Sequence, residues 1–148
     1  MMDTVLLLLT LLGMMAILYI TLFGFLARRM QSEAREVLAS LPGQTVVLAS
    51  PNANFFGQES KGLAQWRGNG ILVLTDQQLY FRRMAPRADW RLPLSAITGV
   101  DTPREHLAKV SAKPLLRVHY TNEQGQPDSL AWQVPNLDTW TQKLREAQ

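Results

Sequence analysis

Four arginines crowd one turn. Arg82, Arg83, Arg87 and Arg91 flank Met84-Ala85-Pro86, and Asp89 is the one acid among them. A planar guanidinium fork matches carboxylate or phosphate oxygens two at a time, so this cluster suits an anionic lipid headgroup or an acidic partner. The same residues would equally form a solvated hairpin tip whose aliphatic stems cover apolar surface. Phe55-Phe56, set between Asn54 and Gly57, offers two rings that either dip into a membrane, enter a partner's pocket or fill the space under their own loop. The stretch from Thr102 to Pro114 carries Arg104, His106, Lys109 and Lys113 against Glu105. It is long for a hairpin connection, which makes Arg104, Lys109 and Lys113 candidate partner contacts.

Catalytic chemistry has few residues to use. The two histidines, His106 and His119, fall in no H-x-x-x-H or H-E-x-x-H pattern, and neither a G-x-S-x-G elbow nor a P-loop is present. Cysteine is absent, which removes disulfides and thiolate chemistry. No catalytic residue, cofactor or metal site is therefore expected, and the chain reads as a non-enzyme. Asp76, in Leu-Thr-Asp-Gln, reads as a turn former whose carboxylate accepts from nearby backbone N–H groups.

The elements that must carry these residues begin with an uncharged apolar run from Thr4 to Ala27. Its 24 residues, at about 1.5 Å each, reach roughly 36 Å and cross a hydrocarbon core of about 30 Å. The acidic start Met1-Met2-Asp3 and the poor cleavage site before Arg28 argue for an anchor over a secretory signal. Arg28 and Arg29 close the run, and no Lys or Arg precedes it, so the positive-inside bias places the following domain in the cytoplasm. The expectation is a single pass through a plasma (inner) membrane, residues 1–3 outside, residues 4–27 within the bilayer. No pair of small residues four apart supports a close-packed helix dimer.

All 15 basic residues lie after the run with all but one of the 12 acids, leaving that part about +4. This suits an anionic leaflet and is too dispersed for nucleic acid. Met30, Ala34, Val37, Leu38 and Leu41 recur at helical spacing, so residues 28–41 read as a juxtamembrane amphipathic helix ended by Pro42-Gly43. The period then drops to two. Thr45 to Ala49 forms a first strand closed by Ser50-Pro51-Asn52. Gly70 to Leu74 and Leu79 to Phe81 form a hairpin. Trp90, Leu92 and Leu94 alternate on a strand that Pro93 confines to an edge, one that a second copy could pair with. Ile97–Val100, Leu116–Tyr120 and Leu130–Val134 follow. A terminal helix from Leu137 to about Ala147, capped by Asn136, carries Leu137, Trp140, Thr141 and Leu144 on one face. Trp66, Trp90, Trp132 and Trp140 read as core or edge-covering rings. The class is mainly β with α.

Asn54-Phe55-Phe56-Gly57, then Gly70 to Phe81, then Leu92-Pro93-Leu94-Ser95-Ala96-Ile97-Thr98-Gly99-Val100 resemble the GRAM and bacterial PH-like domains. That family's pattern is an apolar strand ending in Leu-Thr, a polar turn, an apolar-Tyr/Phe strand and a Pro-Leu-x-x-Ile-x-x-Val strand. The resemblance covers residues 42–148. It implies a PH-like split β-barrel of about seven antiparallel strands capped by a C-terminal helix. It implies a module that binds proteins or acidic lipids. Lipid-binding members carry a dense basic motif in the first hairpin, where this chain has Lys61 and Arg67 against Glu59. The expected role is a scaffold or protein-interaction subunit of a membrane complex; the alternative is an anionic-lipid sensor using the arginine-rich hairpin.

Overall fold

The computed structural model describes residues 2–148, in two units that divide after Ser40. Met1, part of the short N-terminal segment, lies outside the described residues. The first unit is one helix, α1 (Met2–Ala39), of 38 residues. The apolar run and the amphipathic segment are thus continuous, and the helix stops two residues before Leu41. Thr10 and Thr21 donate their hydroxyls to the carbonyls of Leu7 at 2.8 Å and Ile17 at 2.9 Å. Such back-bonding satisfies a hydroxyl inside an apolar helix. Tyr19 stacks on Phe23, with ring centroids 6.2 Å apart. Among the described residues this is the one helix long and apolar enough to cross a membrane.

The second unit is a seven-stranded antiparallel sheet, a small hairpin and a helix. The strands are β1 (Val46–Gln58), β2 (Gly68–Thr75), β3 (Gln78–Arg83), β4 (Ala88–Pro93) and β5 (Ile97–Asp101), then the short β6 (Glu105–His106) and β7 (Lys109–Val110), then β8 (Leu116–Thr121) and β9 (Pro127–Gln133). The large sheet runs β4-β3-β2-β1-β9-β8-β5, while β6 and β7 pair only with each other. The sheet curls on itself, because one core takes side chains from every strand of it. Phe55, Leu72, Phe81, Leu92, Ile97, Val118 and Trp132 meet there. The final helix, α2 (Leu137–Glu146), closes this core with Trp140 and Leu144, both almost fully buried.

Three local expectations change. The first strand does not close at Ser50-Pro51-Asn52. It continues to Gln58 with a register shift between Ser50 and Ala53. Pro51 cannot donate to a ladder, so the chain kinks there instead of stopping. The bend lets β1 pair with β2 along its first part and with β9 from Asn54 onward. The long loop after β5 is not structureless, since it holds the β6–β7 hairpin. Asn136 precedes α2 in a left-handed conformation (φ 53°) and its side chain caps nothing; its carbonyl instead accepts the Trp140 N–H at 3.2 Å. Asp76 does accept a backbone N–H, from Thr45 across the sheet at 2.9 Å.

Gly70 marks the tightest crossing in the hairpin. A Cβ there would lie 2.1 Å from the Arg82 carbonyl oxygen and 2.6 Å from the Phe81 ring. The carbonyl cannot yield without disturbing the β2–β3 ladder, and the ring is packed against Phe55 and Trp90. Gly70→Ala is expected to lower stability by about 3 kcal/mol or more. Gly99→Ala, whose Cβ meets only His119 at 4.0 Å, should stay within about 1 kcal/mol. Urea unfolding of the two variants checks the contrast.

Candidate functional site

The arginine cluster does not form a patch. Arg82 and Arg83 are buried, at 6% and 7% exposure, whereas Arg87 and Arg91 are exposed. Arg82 grips Asp89 with both arms of its fork, Nε to Oδ1 at 2.9 Å and a second nitrogen to Oδ2 at 3.2 Å. That pairing raises the Arg82 pKa; burial pushes the Asp89 carboxyl up, and the Arg82 fork more than reverses it. Arg83 donates from Nε to the Pro86 carbonyl at 2.7 Å and from a terminal nitrogen to the Trp66 carbonyl at 2.5 Å. Burial lowers its pKa, and its guanidinium carbon sits 5.4 Å from the Trp90 ring centroid. Arg91 lies over Tyr80, 4.7 Å from the ring. Two of the four expected ligand contacts are therefore internal ties.

The phenylalanines are internal as well. Phe55 is fully buried, with ring centroids 5.2 Å from Phe81, 4.8 Å from Trp90 and 5.9 Å from Trp132. Phe56 points the other way, buried against Leu115 and Ala131, as strand alternation requires. Lys109 places its ammonium 4.4 Å over the Phe56 ring. Arg104 is exposed and donates to the Ala112 carbonyl at 3.1 Å, which braces its own loop. Lys113 is exposed. Of the five expected partner contacts, Phe55 and Phe56 are thus buried and Lys109 covers one of them, while Arg104 and Lys113 stay exposed.

What the structure does present is the loop from Glu59 to Arg67. Its Leu63 is 67% exposed and its Trp66 72% exposed. Trp66 is thus neither core nor edge cover, unlike Trp132 and Trp140. The loop is held at every part of its length. At its start, Ser60 donates its N–H and hydroxyl to the Asp128 carboxylate, at 2.9 and 2.6 Å. In its middle, the Gln65 amide accepts from Gln58 N–H at 2.8 Å and donates to the carbonyls of Gln58 and Gly62. At its end, Arg83 holds the Trp66 carbonyl and Arg67 reaches the Leu107 carbonyl at 3.3 Å. Lys61 and Arg67 flank the apolar pair.

Asp128 anchors this arrangement. It is 5% exposed and also accepts from Gln58 at 2.7 Å, the Tyr120 hydroxyl at 2.8 Å and the Ser129 N–H at 2.8 Å. Burial pushes its pKa up, but Gln58, Ser60 and Tyr120 together hold it below the usual value. Burial also pushes the Tyr120 hydroxyl up, with Asp128 adding to it. The β6–β7 hairpin adjoins the same strand end. His106, 4% exposed, shares a hydrogen bond with the Gly57 carbonyl at 3.1 Å, and burial lowers its pKa. Leu107 and Ala108 turn the hairpin with φ 51° and 57°.

A rigid loop bearing an exposed indole is suited to binding. Tryptophan anchors are common at interface centres, and a preordered loop loses little entropy on association. The signal was present in the sequence. Trp66 lies on no alternating apolar stripe and sits among Gly62, Gln65 and Gly68, with Lys61 and Arg67 beside it.

Neither a protein-family model nor a curated protein matches the chain. Solved structures do. The C-terminal domain of an unknown protein from Leishmania infantum is similar at TM-score 0.55 and 15% identity, over 79% of this chain and 95% of that one. The Vps36 N-terminal PH domain is similar at TM-score 0.52 and 15% identity, over 72% of this chain and 80% of that one. A chain of the 8S snRNP assembly intermediate is similar at TM-score 0.55 and 8% identity, over 72% and 84%. At such identities the likeness concerns fold. The second unit has a PH-like fold, preceded in the chain by a long apolar helix.

Two outcomes test the loop's bracing. Gln65→Ala removes the central ties, and trypsin cleavage after Lys61 should accelerate by about tenfold as local opening becomes easier. For Asp128, a folded-state pKa below the unfolded value means stabilisation that is present at neutral pH and lost as pH falls through the folded pKa. Unfolding should show this loss below about pH 4. Asp128→Asn should cost about 1–3 kcal/mol at pH 7 and flatten the acid limb.

Proposed function

We propose that the chain is a single-pass protein whose α1 crosses the plasma (inner) membrane with the N-terminus outside. Arg28 and Arg29 support that orientation. The tether holds a GRAM-like domain at the cytoplasmic face, where it acts without catalysis as an interaction or scaffold subunit of a larger membrane complex. The observation that carries this reading is the braced loop with Leu63 and Trp66 exposed. Its partner is a protein with an apolar pocket for the indole and acids at the rim to meet Lys61 and Arg67. The lipid-sensor reading rested on four arginines. With Arg82 and Arg83 buried in internal bonds, two remain at the surface.

The test uses the full chain, extracted from its native membrane in mild detergent with bound proteins. Leu63→Ser with Trp66→Ala should reduce partner recovery by about tenfold or more and change stability by less than about 0.5 kcal/mol, as exposed substitutions do. Unchanged recovery would sink the reading. A second arm reconstitutes the chain in anionic vesicles containing brominated lipid. Quenching of fluorescence that Trp66→Phe abolishes would place the indole in lipid and favour the alternative.

A further inference from the structure

A second surface follows from the register of β3 and β4, and it is separate from the Trp66 loop. Gln78 pairs with Pro93, Tyr80 with Arg91 and Arg82 with Asp89, while Leu79, Phe81 and Arg83 pair with Leu92, Trp90 and Ala88. The Leu94 N–H donates to the Gln77 carbonyl at 3.0 Å, so the pair just beyond Gln78–Pro93 is a hydrogen-bonded one. Hydrogen-bonded and non-hydrogen-bonded pairs alternate along an antiparallel ladder. Leu92, Trp90 and Ala88 therefore spend their main-chain groups on β3. Asp89, Arg91 and Pro93 turn theirs outward. Of the three, Pro93 has no N–H, which ends the outward series of donors. β4 is the last strand of the sheet, so no strand of the described chain pairs on that side.

The outward edge is not flat. It borders a cleft of about 620 Å³ whose walls are β4 residues 90–93 and residues 120–124 at the β8–β9 turn. Gln58 joins the two sides. Its amide accepts the Trp90 indole N–H at 3.1 Å and donates to the Tyr120 hydroxyl at 2.9 Å. Trp90, Leu92 and Tyr120 supply apolar wall, while Arg91 stands exposed at the rim. Asp89 on the same strand face is already matched by Arg82. Arg91 has a ring face and no carboxylate partner among the described residues.

We propose that this cleft takes an extended segment of a partner polypeptide, which adds to β4 as an eighth strand. The groups on offer are backbone N–H and C=O at strand spacing, so the ligand must itself be backbone in extended form. An acidic residue of the segment faces Arg91. Glu123 on the opposite wall excludes a uniformly acidic ligand. A second copy of the chain is disfavoured as occupant, because its β4 would bring its own β8–β9 turn into the same groove. The segment is short: main-chain pairing is available at Asp89 and Arg91 and stops at Pro93.

The experiment uses the full chain in detergent micelles and a synthetic probe, Thr-Val-Glu-Val-Thr-Ser, blocked at both ends. In the free chain, the Asp89 and Arg91 amides should exchange hydrogen at least about tenfold faster than those of Trp90 and Leu92. With probe, they should become protected, and binding should saturate below about 1 mM. Methylating alternate probe amides should weaken binding by about tenfold. Replacing the probe's Glu by Lys should do the same, and Arg91→Glu should reverse that preference. Protection of Asp89 and Arg91 in the free chain would show the edge already occupied and overturn the proposal. Failure to saturate, or binding indifferent to methylation, would overturn it too.

Discussion

A single carboxylate ties the working parts of this domain together. Asp128 starts at the beginning of β9 and accepts from β1, β8 and the loop between β1 and β2 at once. A buried charge of this kind is tolerable only when its lone pairs are filled, and here the donors exceed the minimum. The consequence is mechanical. Gln58 and Tyr120, which Asp128 orients, are also the residues that join the two walls of the cleft beside β4. Ser60, which it also orients, is where the Trp66 loop begins. One anion thus fixes the base of the exposed loop and the floor of the groove.

The buried arginines are the counterpart. A guanidinium taken out of water is costly unless its donors are used, and Arg83 uses them on backbone carbonyls of two different turns. Lysine would have to reach both carbonyls from one nitrogen, whereas the guanidinium serves them from two nitrogens set apart in a rigid plane. Arg82 instead neutralises Asp89 and leaves the outer face of β4 with one uncompensated cation, Arg91. The cluster that looks like a ligand site is therefore mostly a device for shaping the surface next to it.

Periodicity carried the fold. The alternation in Gly70–Phe81 and Leu116–Val134, the edge proline at 93 and the apolar face of α2 all placed their elements correctly, because each is set by local burial. Pro51 misled, since a proline that ends a strand and one that kinks it look alike until the partner strands are known. The site was less legible. Whether an arginine faces solvent or a carbonyl depends on contacts such as Arg83 with Trp66, seventeen residues away. Phe55 and Phe56 looked like a loop pair because β1 was expected to end before them. Composition alone favours a covered Trp66, because tryptophan is usually buried, and the ties that keep this one uncovered lie at Gln65 and Arg83.

The threonines of α1 have a further meaning. Thr10 and Thr21 spend their hydroxyls on their own helix, so in a bilayer they make no demand on a neighbouring helix. Apart from the Tyr19 hydroxyl and Thr4 at its start, the apolar stretch carries no other polar side chain that would hold a preferred neighbour. Such a helix confines without choosing. Set in a bilayer, it would reduce the search for a partner from three dimensions to two and raise local concentration, as any tether does. Selectivity would then rest wholly on the second unit, so the same domain joined to another membrane helix would keep its choice of partner and change only the company in which it makes it.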